Sequence, residues 1–245
     1  DSLLKTACQD AGIEETAVES LVITGNTTML YLLTGRDPEP LSHAPFKADC
    51  LFGYETTILG RTAYLPPCID AFVGADISCA VLASAMTDTS QPSLLCDIGT
   101  NGEVALWKDD KLSVTSTAAG PAFEGAGISC GCGSIPGAID RVWLENDQVC
   151  CHTIGNAPAV GVCGSGLLDA VSVFLKTEEI DETGAADGDL QLTETVHLIP
   201  KDIRAVQLAK AAIAAGIQTL LEVTDTDASE LSAFSICGGF GAHLN

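Results

Sequence analysis

The chain has 245 residues, 47% of them hydrophobic, and a mean hydropathy of +0.30, enough apolar surface for a substantial core in one large domain or two lobes. Eleven Lys and Arg against 33 Asp and Glu leave a formal charge of −22, which repels nucleic acid and anionic membrane and excludes both as partners. The longest apolar stretch, 205–221, is broken by Lys210 and Gln218, and no basic flank precedes an apolar core at the N-terminus; the expected location is the cytoplasm.

In chain order, residues 1–90 are expected to carry a leading helix, a strand at 20–24, a helix at 27–34, a proline-bearing connection and a small-residue helix at 75–85. The polar run Asp88-Thr89-Ser90-Gln91-Pro92 reads as a hinge into a second region, 91–245. There the pattern predicts strands near 93–98, 103–108 and 111–117, a glycine-rich irregular stretch, helices near 164–176 and 202–222, and a strand at 233–237. Hairpin-linked strands followed by helix and strand place the chain in the α/β class. The acidic stretch 178–189, with Gly184 and Gly188, reads as a solvated loop.

The segment 94–106 carries the most chemistry: an apolar strand ending in Asp97, the polar turn Gly99-Thr100-Asn101-Gly102, and a second strand from Glu103. Glycines let backbone amides turn toward an anion, so the turn makes a phosphate cradle. Asp97, at the strand end, is placed to hold the water shell of a Mg²⁺ ion bound to the same phosphates. Glu103 faces either that site or its strand partner. A second glycine turn, Cys237-Gly238-Gly239-Phe240-Gly241, also leaves a predicted strand; it is either a plain strand-to-helix turn or a close passage under a flat ligand. A third, Gly164-Ser165-Gly166, opens a helix whose N-terminal amides either cap it or attract phosphate.

The eleven cysteines sit mostly in apolar strings and read as buried, reduced thiols. Cys130-Gly131-Cys132 and Cys150-Cys151 stand apart, yet neither has the spacing of a metal pair, and His43, His152, His197 and His243 show no ligand spacing. Gly127-Ile128-Ser129-Cys130-Gly131 has nucleophile-elbow spacing for a serine hydrolase, but the segment before it is small, glycine-broken and acidic where an apolar strand is required. A dinucleotide fold at Gly164-Ser165-Gly166 lacks its third glycine.

Together these turns resemble the actin, sugar kinase and heat-shock chaperone (ASKHA) superfamily, whose actin-like, ribonuclease-H-like lobes close over ATP. On that resemblance Asp97 to Glu103 is the second phosphate loop, Cys237 to Gly241 the adenosine motif, and Val73 to Ala80 the connecting helix, with Asp76 orienting the attacking water. Asp76 otherwise reads as an acid near a helix N-terminus. The strings Thr24-Gly25-Asn26-Thr27-Thr28-Met29, Arg36-Asp37-Pro38-Glu39-Pro40-Leu41, Thr117 to Ala126 and Pro136-Gly137-Ala138-Ile139-Asp140-Arg141 narrow it: the chain resembles the reductive activators of corrinoid proteins over nearly its whole length.

The resemblance implies a fold made of the end of the first actin-like lobe with the connecting helix (1–90) and the second lobe with the phosphate and adenosine motifs (91–245). It implies ATP and Mg²⁺ as cofactors, a corrinoid protein and an electron-donor domain or protein as partners, and a homodimer. ATP hydrolysis would be coupled to returning cobalt(II) in the corrinoid to cobalt(I). Gly99, Thr100, Asn101 and Gly102 would cradle the β- and γ-phosphates, Gly238, Gly239 and Phe240 would border adenine or ribose, and Glu124 would contact ribose or partner. Neither a ferredoxin-like cysteine run nor an earlier Asp-Ile-Gly-Thr turn occurs in these residues, so the iron-sulfur cluster is expected in a separate domain. Residues 1–245 alone are expected to bind ATP weakly and to turn nothing over, the phosphates being held from one side. A docking module that senses nucleotide without hydrolysing it is the alternative.

Overall fold

The computed structural model describes residues 2–241 and divides into two compact units, 1–88 and 89–245. In the first, α1 (Ser2–Ala11) leads into β1 (Ser20–Val22), α2 (Thr27–Leu33) and the short α3 (Glu39–Ser42). A hairpin of β2 (Tyr54–Ile58) and β3 (Arg61–Leu65) follows, then α4 (Ala75–Ser84). β3 is central, parallel to β1 and antiparallel to β2. That hairpin corrects the proline-bearing connection expected here. Its strands alternate in burial, and Leu59 and Gly60 turn with φ of 53° and 73°, the left-handed pair that matches strand twist. Leu at the first of these positions is a poor signal of such a turn.

The second unit begins with a meander, β4 (Ser93–Ile98), β5 (Gly102–Lys108) and β6 (Lys111–Thr117). Next come β7 (Ala138–Glu145), β8 (Gln148–Thr153) and the two-residue β9 (Gly161–Val162). α5 (Gly164–Lys176), β10 (Leu190–Gln191), β11 (His197–Leu198), α6 (Pro200–Val223), β12 (Ala233–Cys237) and α7 (Gly238–Gly241) complete it. The main sheet has the order β12-β4-β5-β6, with β12 parallel to β4. β8-β7-β9 form a second sheet where an irregular stretch was expected. The missed hairpin turns at Asn146 and Asp147, with φ of 51° and 61°.

One face of the main sheet carries Leu94, Cys96, Val104 and Leu106 into a core shared with Leu167, Phe174, Ile203, Val206 and Ile213. α6 lies close against this sheet because it is glycine at its crossing point: a Cβ on Gly216 would stand 2.5 Å from Thr117 Cγ2. α6 is long and apolar enough to cross a membrane by length and composition alone. Yet Ile203, Val206, Ala209, Ile213 and Leu220 are buried while Lys201, Arg204 and Lys210 are exposed, which is the stripe of a core helix.

All eleven cysteines are free thiols. Burial, reinforced by Asp97 and Glu103, pushes Cys96 up to about 11, and burial with Cys150 does the same to Cys151. A thiol that keeps its proton to about 11 when folded, but releases it near 9 when unfolded, stabilises the fold fully below pH 9 and no longer does so above 11. Urea unfolding followed from about pH 8 to about pH 11 is expected to show stability falling across that window. Cys151→Ala should flatten the fall, and a midpoint that ignores pH would contradict the assignment.

Candidate functional site

The parallel pairing of β12 with β4 places Cys237 beside Asp97, so the turns that follow the two strands leave the sheet at the same end. Across β4 and β5, Asp97 pairs with Glu103, and Glu103 pairs with Ser116 on β6. Paired residues share a face, so one row at this end reads Cys237, Asp97, Glu103, Ser116. Glu103, largely buried, accepts from the Ser116 hydroxyl at 3.4 Å. It thus both shares the face of Asp97 and engages its strand partner.

The turn after β4 is pinned at two points. The Gly99 amide donates to the Asn101 carbonyl at 3.1 Å, and the Gly120 amide donates to the Thr100 carbonyl at 2.8 Å. The expectation that all four amides of 99–102 face a ligand is therefore corrected. Gly99 spends its amide inside the turn, and Gly102 is glycine because a Cβ there would meet Thr117 Oγ1 at 2.7 Å and Ile213 Cγ1 at 2.9 Å. Among the described residues no backbone carbonyl accepts from the Thr100 or Asn101 amide, and both residues are exposed.

The second turn abuts the first. Gly238 has φ +83°, and a Cβ on it would lie 2.2 Å from Asp97 Oδ1; only glycine lets the backbone pass this close to the carboxylate. A Cβ on Gly239 would meet open space. Phe240 stacks on Phe123, ring centroids 5.1 Å apart and planes 9° from parallel. Phe123 lies in a 3-10 turn, Pro121–Glu124, whose Glu124 accepts a hydrogen bond from the Thr100 hydroxyl. Gly164, at the start of α5, fits against the Phe123 backbone and the Phe240 ring, its virtual Cβ falling 2.0 Å from the Phe123 carbonyl oxygen and 2.7 Å from Phe240 Cε2.

Four chain segments thus meet at one end of one sheet, bringing Asp97, Thr100, Asn101, Glu103, Glu124, Gly164, Gly238, Gly239 and Phe240 together. Ser165 and Gly166 are placed otherwise. The Ser165 hydroxyl donates to the Asp140 carbonyl at 2.9 Å, and Gly166 is packed against the Ile139 carbonyl oxygen, which a Cβ would meet at 2.2 Å. Phe123 was missed by sequence reasoning; an aromatic just after Gly120-Pro121 was its one signal. Ser129 is no nucleophile elbow, since its amide and hydroxyl both donate to Asp202 Oδ1, at 2.9 and 3.2 Å, and no strand leads into it.

These groups fit a magnesium nucleotide. Two neighbouring carboxylates on one face are hard oxygen donors suited to Mg²⁺ or its waters, two exposed amides and two short polar side chains suit phosphate, and the open space over Gly239 beside an aromatic pair suits a flat base. Among the described residues no group of three or more His, Cys, Asp or Glu could hold a metal.

Asp76 belongs to the first unit, where it is the second residue of α4. The amides of Ala75 and Asp76 donate to the Gly25 carbonyl at 3.0 and 3.4 Å, and Asp76 Oδ1 accepts from Ile77 N–H at 3.0 Å. Asn26 caps α2 by accepting from Met29 N–H at 2.9 Å. Gly74 must be glycine because a Cβ would fall 2.4 Å from Asn26 Cα. The Gly25-Asn26 turn is therefore the shelf on which α4 starts. Burial raises the Asp76 carboxyl above its ordinary range against the lowering pull of the Ile77 amide.

Residues 91–245 match the family described as the C-terminal domain of RACo, the ASKHA domain, and residues 1–89 match the RACo middle region. The corrinoid activation enzyme RamQ of Eubacterium limosum is 32% identical over 99% of this chain and 47% of its own length. The [Co(II) methylated amine-specific corrinoid protein] reductase of Methanosarcina barkeri is 28% identical over 95% of this chain and 51% of its own. Among solved structures, a reductive activator for corrinoid, iron-sulfur protein superposes with a TM-score of 0.88 at 31% identity, covering all of this chain and 44% of that one. The chain spans about half the length of the relatives it matches. The α/β fold expected from the turns is the ASKHA fold, and the chain belongs to the reductive activators of corrinoid proteins.

Proposed function

We propose that this chain is the ATP-binding part of a protein that uses ATP hydrolysis to drive a single electron onto the cobalt of a partner corrinoid protein, cobalt(II) becoming cobalt(I). The electron would come from an iron-sulfur donor domain or protein. The observation that carries the reading is the parallel register of β12 and β4, which sets both glycine turns at one sheet end around Asp97. The amides of Thr100 and Asn101 with their side chains would take the phosphates, and Asp97 with Glu103 would face Mg²⁺ or its water shell. Gly238, Gly239 and Phe240 would border the base. Bound Mg-ATP would supply the phosphoanhydride whose hydrolysis resets the protein; the chain's residues would position it. Asp76 would orient the attacking water, a task suited to a carboxylate whose burial makes it a better base.

The partner reading rests on the names of the relatives, which act on corrinoid proteins, and on charge. At −22 the chain should prefer a partner face rich in Lys and Arg, with association that weakens as salt rises. A homodimer and a cytoplasmic location belong to the same proposal. Calorimetry with Mg-ATP on residues 1–245 beside the full-length protein tests it. Weak but magnesium-dependent binding to the short chain, with tight binding to the long one, is expected; no binding to either would end it.

Asp76 separates function from stability. At neutral pH its carboxylate is held charged at a desolvation cost, so its contribution to the fold is favourable only below the ordinary carboxylate pKa and declines as pH rises from there. Asp76→Asn removes that cost and keeps an oxygen for the Ile77 amide. The variant is expected to melt at a higher temperature at pH 7, while ATP turnover in the full-length protein falls at least about tenfold. A lower melting temperature with unchanged turnover would make Asp76 a structural acid only.

A further inference from the structure

We infer that Glu124 is the residue that makes this site demand a metal-complexed triphosphate, by holding the Thr100 hydroxyl until a cation arrives with the phosphates. The inference rests on the nucleotide reading above and deepens it. Thr100 donates its hydroxyl to Glu124 Oε2, and the other carboxylate oxygen lies 3.8 Å from where a Gly99 Cβ would stand. Both Glu124 oxygens therefore face the turn expected to receive phosphate. The same segment ties the turn a second time, since Gly120 N–H donates to the Thr100 carbonyl at 2.8 Å.

With Asp97 and Glu103 on the adjacent strands, the turn has acidic groups on two sides, and no Lys or Arg occurs among residues 94–106 or 117–126. Phosphate anions compete with Glu124 for the same donor and are repelled by it. A divalent cation relieves the repulsion and lets Thr100 rotate from carboxylate to phosphate. Glu124 thus acts through Thr100 and through its field; it is a positioning residue, distinct from a ribose contact.

Glu124 is exposed and lies in a short turn beside Phe123, so Glu124→Gln should keep the fold. The test measures Kd of the full-length protein for ATP with Mg²⁺ and for ATP with EDTA. Wild type should bind ATP far more tightly with Mg²⁺. Glu124→Gln should bind metal-free ATP about tenfold more tightly than wild type, the effect of one charge removed from an exposed site, with Mg-ATP affinity within about threefold. Thr100→Val, which removes the hydroxyl that Glu124 holds, should lose Mg-ATP affinity. If Glu124→Gln weakens Mg-ATP binding and leaves metal-free binding unimproved, Glu124 is a direct nucleotide contact and the inference falls, with the nucleotide site intact. Absence of Mg-ATP binding by wild type would take down both.

Discussion

Asp97→Asn in the full-length protein is expected to lower magnesium-dependent ATP hydrolysis by about 100-fold or more, the scale of losing a group that places charge at the transferring phosphoryl. The argument is geometric. Asp97 ends β4 at the point where β12 runs parallel to it, and Gly238 brings the second turn to within a Cβ's width of its carboxylate. Asn is nearly isosteric, so that close passage survives and the circular dichroism spectrum should not change. What would be lost is the negative charge proposed to face the cation, and the loss should show as a weaker dependence of Kd for ATP on magnesium concentration. Because Glu103 is its cross-strand neighbour on the same face, Glu103→Gln should give a smaller defect of the same kind. If Asp97→Asn hydrolyses ATP at the wild-type rate, Asp97 does not touch the cation and the site must be built elsewhere.

The central elements of this site are legible in the sequence because each depends on local chemistry. An apolar run ending in Asp97, then glycine and short polar residues, then alternating Glu103-Val104-Ala105-Leu106 is a strand-turn-strand by pattern alone, and β4 and β5 fall where that pattern puts them. α5 and β12 are read as well, since one starts at Gly164 and the other ends before Gly238, where the chain needs glycine for close approach. What the pattern hides is pairing between distant segments. Thr100 with Glu124, Phe123 with Phe240 and Ser129 with Asp202 are separated by 24, 117 and 73 positions, and no periodicity reports which side chains will meet. The β7–β8 hairpin is hidden for a different reason. Gly125, Gly131 and Gly161 flank it, each packed against backbone at distances only glycine tolerates, and so many glycines in a row of loops mask short strands that lie between them.

Asp202 is a fully buried carboxylate on which the second unit depends for more than helix capping. At the third position of α6, its Oδ2 accepts from Ile199 N–H at 3.0 Å, while Oδ1 takes both the amide and the hydroxyl of Ser129. One side chain therefore fixes the start of the helix that backs the main sheet and the loop five residues beyond Glu124. Asp202→Ala leaves the amides of half-buried Ile199 and of Ser129 without their acceptor and opens a cavity at a fully buried position, which together should cost about 2–4 kcal/mol in urea unfolding. Ser129→Ala, which removes one hydroxyl donor and keeps the amide bond, should cost only about 1 kcal/mol. The loop it anchors continues from the turn that carries Phe123 and Glu124. Asp202→Ala protein that remains folded at low temperature should accordingly bind Mg-ATP more weakly, even though Asp202 itself belongs to the support and not to the site. Equal stability of Asp202→Ala and wild type would mean that water replaces the carboxylate at α6, and the link from helix start to phosphate turn would be lost.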